Sequence, residues 1–119
     1  EVIDHGCYDE GRVDYPHYGL KVGKDIQNKN ADYGVLVCTT GIGMSIAANK
    51  VEGIRCGHCS SVEQAHLTKE HNHANIIAIS YKQDVNEIAE MIKEFIDCNK
   101  DKFIILNNSK DIKKLFLKE

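Results

Sequence analysis

The most constraining feature of the sequence is the stretch 33–50, which reads YGVLVCTTGIGMSIAANK. An apolar run ends at Cys38, two threonines and a glycine-rich turn follow, and a segment of small residues comes next. The apolar run is typical of a strand buried on both faces, and the small residues at 44–49 predict a helix. This order of strand, turn and helix places the Cys38 thiol at the carboxyl end of a parallel strand, where ligands bind in open α/β sheets.

The rest of the chain alternates between apolar runs and amphipathic segments. Apolar spacing and capping residues predict strands at 2–4, 54–59 and 75–79, and helices at 17–28, 60–71 and 84–98. A loop is expected at 5–15, with Pro16 in the first turn of the helix that follows, and a short apolar run and a last helical piece at 103–106 and 111–117. Alternating strands and helices predict βαβ units, and therefore a parallel sheet with helices on both faces.

Composition limits the classes of function. The chain has 119 residues, which suits one domain, and 42% of them are apolar, enough for a real core. A net charge of −3 argues against a nucleic-acid surface. No apolar run approaches the roughly 18 residues of a membrane span. Five cysteines, an odd number, favour unpaired thiols in a reducing cytoplasm.

The start of the sequence predicts a missing segment. Residues 1–4 read Glu-Val-Ile-Asp, without an initial Met, and resemble the middle or the end of a strand. We therefore expect a further piece upstream.

Cys38 has a structural and a functional interpretation. A buried cysteine at a strand end often serves only as a small apolar residue. The Thr-Thr-Gly-Ile-Gly that follows favours function, because a thiol facing a helix N-terminus can form a thiolate, and glycines let backbone N–H groups approach a ligand. A dinucleotide site is weakly supported, since Ile46 occupies the position of the third glycine.

Two further patterns invite a metal site and do not support one. Cys56 and Cys59 have Cys-x-x-Cys spacing, but in a strand residues three apart point to opposite faces, so their sulfurs would not converge. His71-Asn72-His73 has no further ligands at a suitable spacing. His71 closes a helix just before a strand, at an edge of the sheet, where it could act as an acid or base. We predict neither a metal nor a cofactor.

Several of these residues together resemble one known family. The chain is similar from Glu1 to about Cys98 to the type B ribose-5-phosphate isomerases, which share a family with the galactose-6-phosphate isomerase subunits. The resemblance is carried by Asp14-Tyr15-Pro16, by Cys38-Thr39-Thr40-Gly41-Ile42-Gly43-Met44-Ser45-Ile46-Ala47-Ala48-Asn49-Lys50, by Gly53-Ile54-Arg55 and by Glu70-His71-Asn72-x-Ala74-Asn75.

The resemblance implies a three-layer α/β/α Rossmann-like parallel sheet. Residues 1–119 would form a single sugar-phosphate isomerase domain that lacks its first βα unit, roughly 25–30 residues. It also implies a cytoplasmic homodimer, with a tetramer as the alternative, whose active sites are shared between subunits. The expected reaction interconverts ribose 5-phosphate and ribulose 5-phosphate through an enediol, without a metal, as part of the pentose phosphate pathway.

The resemblance also assigns roles to single residues. Cys38 would be the base that moves a proton between C2 and C1, and His71 the acid that opens the furanose ring. Thr40 would transfer a proton to the enediolate oxygen, which backbone N–H groups of the turn would stabilise. The expected contacts to substrate are Thr39, Gly41, Ile42, Gly43, Asn72, Lys82 and Tyr15.

Departures from the family pattern leave alternatives open. The family's Asp-His pair at the end of its first strand has no counterpart here, and Ile105 and Ser109 stand where the family has phosphate-binding arginines. Lys82 also replaces a common arginine, and lysine binds phosphate only as a point charge. The alternatives are a galactose-6-phosphate isomerase subunit, a family member that only binds or dimerises, and a thiol-redox or metal protein that uses Cys56 and Cys59.

Overall fold

The computed structural model describes residue 3 and residues 15–97. Along this part of the chain the elements are α1 (Tyr15–Gln27), β1 (Gly34–Cys38), α2 (Ile42–Ala48), β2 (Cys56–His58), α3 (Val62–Glu70), β3 (Ile76–Ser80) and α4 (Val85–Asp97). The strand predicted at 2–4, apart from Ile3, and the segments predicted at 103–106 and 111–117 lie outside the described residues. The alternation of strands and helices predicted from the sequence is confirmed.

The three strands form a parallel sheet in the order β1-β3-β2. Cys38 at the end of β1 pairs with Ser80, and His58 at the end of β2 pairs with Ala78. The carboxyl ends of all three strands therefore lie along one edge, which we call the C edge, and their amino ends lie along the opposite N edge. Because the chain crosses from β1 over β3 to β2 and then returns, crossovers of one hand place α2 and α3 on opposite faces.

Each face of the sheet has its own hydrophobic core. On one face, Leu36 and Ile76 pack with Met44 and Ala48 of α2 and with apolar side chains of α1. On the other face, Ile77 and Ile79 pack with side chains of α3 and α4, chief among them Met91, Phe95 and Ala65. The result is the three-layer α/β/α arrangement expected from the sequence.

Strand β1 is less buried than its apolar sequence predicts. The central strand β3 is fully enclosed, with Ile76, Ile77, Ala78 and Ile79 each 0% exposed. In β1, by contrast, Val37 is 40% exposed, although Leu36 and Cys38 on the other face are buried. The prediction of a strand buried on both faces is wrong at Val37. The core on the Ile77 face, which we call the second core, covers Val35 but does not extend to Val37.

Strand β2 and helix α3 begin later than the sequence predicts. Strand β2 starts at Cys56 rather than at residue 54, because the Arg55 N–H donates to the side-chain Oδ1 of Asn75, 2.9 Å away, instead of to a strand. The cap of α3 is Ser61 rather than Ser60, and its Oγ accepts the N–H of Gln64 at 3.1 Å. Gln64 Oε1 in turn accepts the N–H of Ser60, the residue before the cap, at 2.7 Å.

Helix lengths also bear on a membrane location. Across residues 15–97, none of the helices has both the length and the apolar character required to cross a bilayer.

Candidate active site

The Cys38 thiol lies at the C edge and points towards the glycine turn. Its Sγ accepts a hydrogen bond from the Gly41 N–H over 3.1 Å. The residue is only 4% exposed and belongs to the first core, together with Leu36 and Met44. The sulfur is the acceptor in this contact, so the Gly41 N–H fixes the orientation of the side chain.

Gly41 has a conformation and surroundings that only glycine fits. Its φ of 82° and ψ of −11° are left-handed, and it caps the N-terminus of α2 without a side-chain hydrogen bond. A Cβ at this position would lie 2.8 Å from Cδ2 of His58 and 3.1 Å from the carbonyl carbon of Ile79. This left-handed residue starts α2 at Ile42, two residues earlier than the sequence predicts.

The two threonines before Gly41 hold the turn to the sheet. The Ser80 hydroxyl donates to the Thr39 carbonyl at 2.6 Å, which fixes the turn to the end of β3. Thr40 Oγ1 accepts the Ile42 N–H at 3.1 Å, so its own hydroxyl hydrogen can still be donated elsewhere. Both threonines therefore lie at the C edge next to Cys38, as predicted.

Beyond Gly41 the turn opens to solvent. The N–H groups of Gly41 and Ile42 are engaged by Cys38 Sγ and Thr40 Oγ1. A Cβ added at Gly43 would meet no atom within 4 Å, and the side chain of Ile42 is 49% exposed. The open space beside Gly43 is therefore the part of the turn that a ligand can approach most closely.

His58 is a residue of this edge that the sequence interpretation missed. Its ring Nε2 lies 2.7 Å from the Thr40 carbonyl oxygen, on the turn itself. The sequence interpretation placed it only within the Cys-x-x-Cys strand. Its position at the end of a strand was the available signal, because the ends of parallel strands meet at one edge of a sheet.

His71 and Asn72 lie at the other edge of the sheet. His71 caps the C-terminus of α3, just before β3 begins at Ile76, whereas Cys38 is paired with the last residue of β3. The length of β3 alone separates the two edges by about 13 Å at the usual rise of a parallel strand. Within one chain, then, the fold does not bring His71 and Cys38 together.

Asn72 lies in the wall of a cavity of about 380 Å³ at the N edge. Its walls include Asn49, Arg55, Cys56 and Thr68. Arg55 Nε donates to the Asn72 carbonyl at 2.8 Å, which ties the loop before β3 to the loop before β2. This edge is thus concave and lined by amide and guanidinium groups.

Two further predicted contacts lie near the C edge or at the start of α1. Lys82 is exposed and follows β3, and its N–H donates to Ser80 Oγ at 3.2 Å. The neighbouring Tyr81 N–H donates to the Cys38 carbonyl at 2.9 Å, so this loop and the Cys38 turn are joined. Tyr15 is the first residue of α1.

Comparison with known proteins identifies the family. The model of the ribose/galactose isomerase family matches residues 1–115. The chain is 44% identical to ribose-5-phosphate isomerase B of Escherichia coli over 92 residues, which are 77% of this chain and 62% of that protein. The chain belongs to the ribose/galactose isomerase family.

Two other relatives agree with this family assignment. The galactose-6-phosphate isomerase subunit LacB of Clostridium acetobutylicum is 44% identical over 78 residues, covering 66% of this chain and 45% of that protein. The structure of Clostridium thermocellum ribose-5-phosphate isomerase B superposes with a TM-score of 0.79 at 33% identity, covering 98% of this chain and 81% of that one. The chain thus spans about half to two thirds of the length of the curated relatives it matches.

The Cys-x-x-Cys pattern in this ribose/galactose isomerase chain does not form a joint site. Cys56 packs against the first core and Cys59 lies in the second, so the two thiols are on opposite faces of the sheet, as predicted. Burial and the nearby Cys59 raise the pKa of Cys56 to about 12. Burial also raises the pKa of Cys59, against a hydrogen bond with Thr68 that lowers it. The described residues contain no group of three or more ligands that could hold a metal ion.

Proposed function

We propose that the full-length protein interconverts ribose 5-phosphate and ribulose 5-phosphate by proton transfer through an enediol. The observation that carries the proposal is the contact between Cys38 Sγ and the Gly41 N–H at the carboxyl end of a parallel strand. It supplies a thiol held by a backbone donor, next to a glycine turn that is open beside Gly43. The relatives named ribose-5-phosphate isomerase B supply the substrate.

In the proposed reaction Cys38 acts as the base. The thiolate takes the proton from C2 of the open-chain aldose, and the electron pair moves to C1–C2 as the carbonyl oxygen at C1 becomes an enediolate oxygen. Thr40 hands a proton to that oxygen, which gives the neutral enediol. The C2 hydroxyl then returns a proton to Thr40 as it becomes the ketone, and the sulfur returns its proton to C1, so both side chains regain their starting states. A thiolate suits this role because its basicity lies near working pH, so the proton can come back.

The enediolate needs hydrogen-bond donors where its charge develops. We assign this role to the Gly43 N–H and to the Thr40 hydroxyl, since the N–H groups of Gly41 and Ile42 already have acceptors. Thr39 and Ile42 complete the proposed contacts of the turn with the sugar, and Tyr15 is a further proposed contact.

The near-complete burial of Cys38 adds a step to the proposal. Cys38 as a whole is 4% exposed, which leaves too little open surface for a substrate carbon to reach its sulfur. Binding of the sugar must therefore move the groups around Cys38 so that Sγ meets the substrate carbon while the Gly41 N–H remains its donor.

The position of His71 supports a site shared between two subunits. His71 and Asn72 lie at the N edge, about one strand length from Cys38 of the same chain. A homodimer in which the N edge of one copy meets the C edge of its partner would bring His71 to Cys38. We propose that His71 then protonates the ring oxygen to open the furanose and that Asn72 contacts the sugar.

Phosphate binding at the C edge falls to Lys82 in this proposal. The lysine is exposed and directly follows the loop joined to the Cys38 turn. An ammonium group binds phosphate without the paired geometry that an arginine gives. We also propose a cytoplasmic location, because such a reaction acts on metabolites of the cytoplasm.

A six-carbon substrate is the second candidate. The similarity to the LacB subunit is as high, at 44% identity, as that to the E. coli isomerase. Assays with ribose 5-phosphate and galactose 6-phosphate side by side separate the two sugars. A protein that converts neither would fit the alternative of a family member that only binds or dimerises.

The decisive experiment replaces Cys38 with alanine in the full-length protein. We expect kcat to fall at least about a hundredfold, the low end for loss of a general base. Cys59→Ala is the matched control, since Cys59 is equally buried but lies in the other core. A near-normal rate in Cys38→Ala, with folding intact by circular dichroism, would remove Cys38 from the mechanism.

A further inference from the structure

We propose that His58 positions the peptide that holds Cys38, by donating a hydrogen bond from its Nε2 to the Thr40 carbonyl. The role rests on the proposed function, because the turn matters only if Cys38 is the base. His58 is not among the residues that carry the family resemblance. It would act through the turn and not on the substrate.

The direction of the hydrogen bond follows from the chemistry of its two atoms. Nε2 lies 2.7 Å from the Thr40 oxygen, and a carbonyl oxygen can only accept. Nε2 must therefore carry the hydrogen, in either the neutral or the protonated ring. The ring also packs against the turn, since a Cβ on Gly41 would lie 2.8 Å from Cδ2 and 3.2 Å from Nε2.

His58 and Cys38 bind the two ends of one peptide group. The carbonyl of Thr40 and the N–H of Gly41 belong to the same planar unit, so the orientation of one fixes the other. His58 holds the oxygen at 2.7 Å, and Cys38 Sγ accepts from the nitrogen at 3.1 Å. A donor on the carbonyl also polarises the peptide, which strengthens its N–H as a donor to sulfur.

No other bond replaces this contact in the described structure. Helix α2 begins at Ile42, so the Thr40 carbonyl lies before its first turn. The neighbouring Thr39 carbonyl is held separately by Ser80, one peptide earlier. Without His58, the peptide between Thr40 and Gly41 can rotate, and rotation turns the Gly41 N–H away from the sulfur.

The test uses the full-length protein with His58→Ala and His58→Gln. A glutamine amide can place a donor near the position of Nε2, so this variant should restore what alanine removes. His17→Ala is the control, an exposed histidine of α1 that stacks edge-on to Tyr18. The two readouts are hydrogen exchange of the Gly41 amide by NMR, and kcat and KM for ribose 5-phosphate.

We expect His58→Ala to speed exchange at Gly41 about three- to tenfold, the range that one intramolecular hydrogen bond supports. In the same variant kcat should fall by a similar factor while KM stays within about twofold, the pattern of a lost transition-state alignment. Glutamine should return both values to within about twofold of the natural protein, and the His17 variant should change neither.

Two results would overturn the inference. Unchanged exchange at Gly41 in His58→Ala would show that the contact does not hold the peptide. Faster exchange with an unchanged kcat would show that holding the peptide does not matter to the reaction. If the natural protein converts no sugar phosphate, the proposed function fails instead, and the exchange readout alone still decides whether His58 holds the turn.

Discussion

The two edges of the sheet differ in how their functional groups are held and how open they are. At the C edge, hydrogen bonds between side chains and backbone groups hold a turn around a buried thiol, and Cys38 is 4% exposed. At the N edge, side chains of Asn72, Arg55 and Asn49 surround a cavity of about 380 Å³. The C edge holds its thiol within a hydrogen-bonded turn, whereas the N edge is open and polar.

This difference matches a division of the proposed chemistry between a base at the C edge and a ring-opening acid at the N edge. A base must be held at one angle to the carbon it deprotonates, which a turn fixed by several hydrogen bonds provides. An acid that opens a sugar ring must admit the whole sugar, which suits an open, polar edge. Because one chain separates the two edges by about the length of β3, the comparison predicts that each edge works with its counterpart in a second copy.

Mixing two inactive variants tests that division and should give the largest effect. Cys38→Ala and His71→Ala homodimers should each be strongly impaired. In a random mixture half of the dimers are hybrids, and each hybrid has one site with both residues intact. We expect recovery from about 1% to about a quarter of the natural kcat, as the symmetry of a shared site requires.

The control for this experiment is the double variant Cys38→Ala/His71→Ala mixed with natural protein. Here every site of a hybrid lacks one of the two residues, so activity should be only that of the natural homodimers. Assays of the mixtures after refolding or coexpression give both values. Absence of recovery in hybrids whose formation is shown by mass spectrometry would contradict a shared site.

Glycine substitutions compare the two edges through stability. Gly41 and Gly53 share a left-handed backbone, with φ of 82° and 84°, but only Gly41 is enclosed. Gly53→Ala should cost about 1–2 kcal/mol of unfolding free energy, from the conformation alone. Gly41→Ala should cost about 1–3 kcal/mol more, because its Cβ meets His58 and Ile79.

Urea unfolding of both variants measures this difference, and kcat gives a second comparison. Only the Gly41 variant should also lose activity, because only that turn carries Cys38. Equal costs in the two variants would show that the turn relaxes around an added methyl group and is less rigid than its hydrogen bonds indicate.

The sequence predicted which elements build the C edge, but not every detail of burial and strand ends. The apolar run, the glycines and the small residues of 33–50 are contiguous, so β1, the turn and α2 follow from local rules. The burial of Val37 and the start of β2 were predicted wrongly. The exposure of Val37 depends on how far the helices cover the sheet. The start of β2 depends on the Asn75 side chain, which accepts the Arg55 N–H.

The strand-end position of His58 could have placed it at the C edge, but its contact with Thr40 could not be predicted from the sequence, for a topological reason. β2 is not a neighbour of β1, because β3 lies between them. Nothing in the spacing of residues 40 and 58 indicates that the turn after β1 passes over the end of β3 towards β2. Similarly, the separation of His71 from Cys38 follows from strand direction, which becomes decisive only once the order of the strands is known.

Lys69 provides a smaller test, confined to the N edge. It is 3% exposed, and its Nζ donates to the Ala74 carbonyl at 3.1 Å and lies 3.6 Å from the centre of the Tyr33 ring. Lys69→Met keeps the length of the side chain but removes the donor and the charge. We expect a loss of about 1–3 kcal/mol in urea unfolding, from the carbonyl left without its donor and the lost cation–π contact.

We expect the loss of unfolding free energy in Lys69→Met to arise in the loop before β3. Faster amide exchange should appear at 71–74 and not at Gly41, and exposed Lys93→Met on α4 should change neither the stability nor the exchange. Similar loosening at both edges would show that they are coupled through β3, and not two separate halves of a site.

The smallest expected effect is a pH dependence in α3, the helix that ends at the N edge. His66 contacts Glu94 of α4 at 2.7 Å through Nδ1 and Glu70 through Nε2, and the bond to Glu94, followed by Glu70, raises its pKa above 6.5. A raised folded-state pKa means that the stabilisation is fully present below about pH 6.5 and is lost as pH rises through the higher folded value.

Because the His66 side chain is 38% exposed, solvent screening should keep this contribution below about 1 kcal/mol. Urea unfolding at about pH 6 and about pH 8 should show it in the natural protein and not in His66→Gln. The same pH dependence in both proteins would exclude this ion-paired group as its source. The protection factor of the Gly41 amide, which is its exchange rate relative to the base-catalysed intrinsic rate at each pH, should stay constant across the change, since α3 packs on the face opposite to α2. A parallel response there would mean that the C edge is coupled to the helices of the other layer.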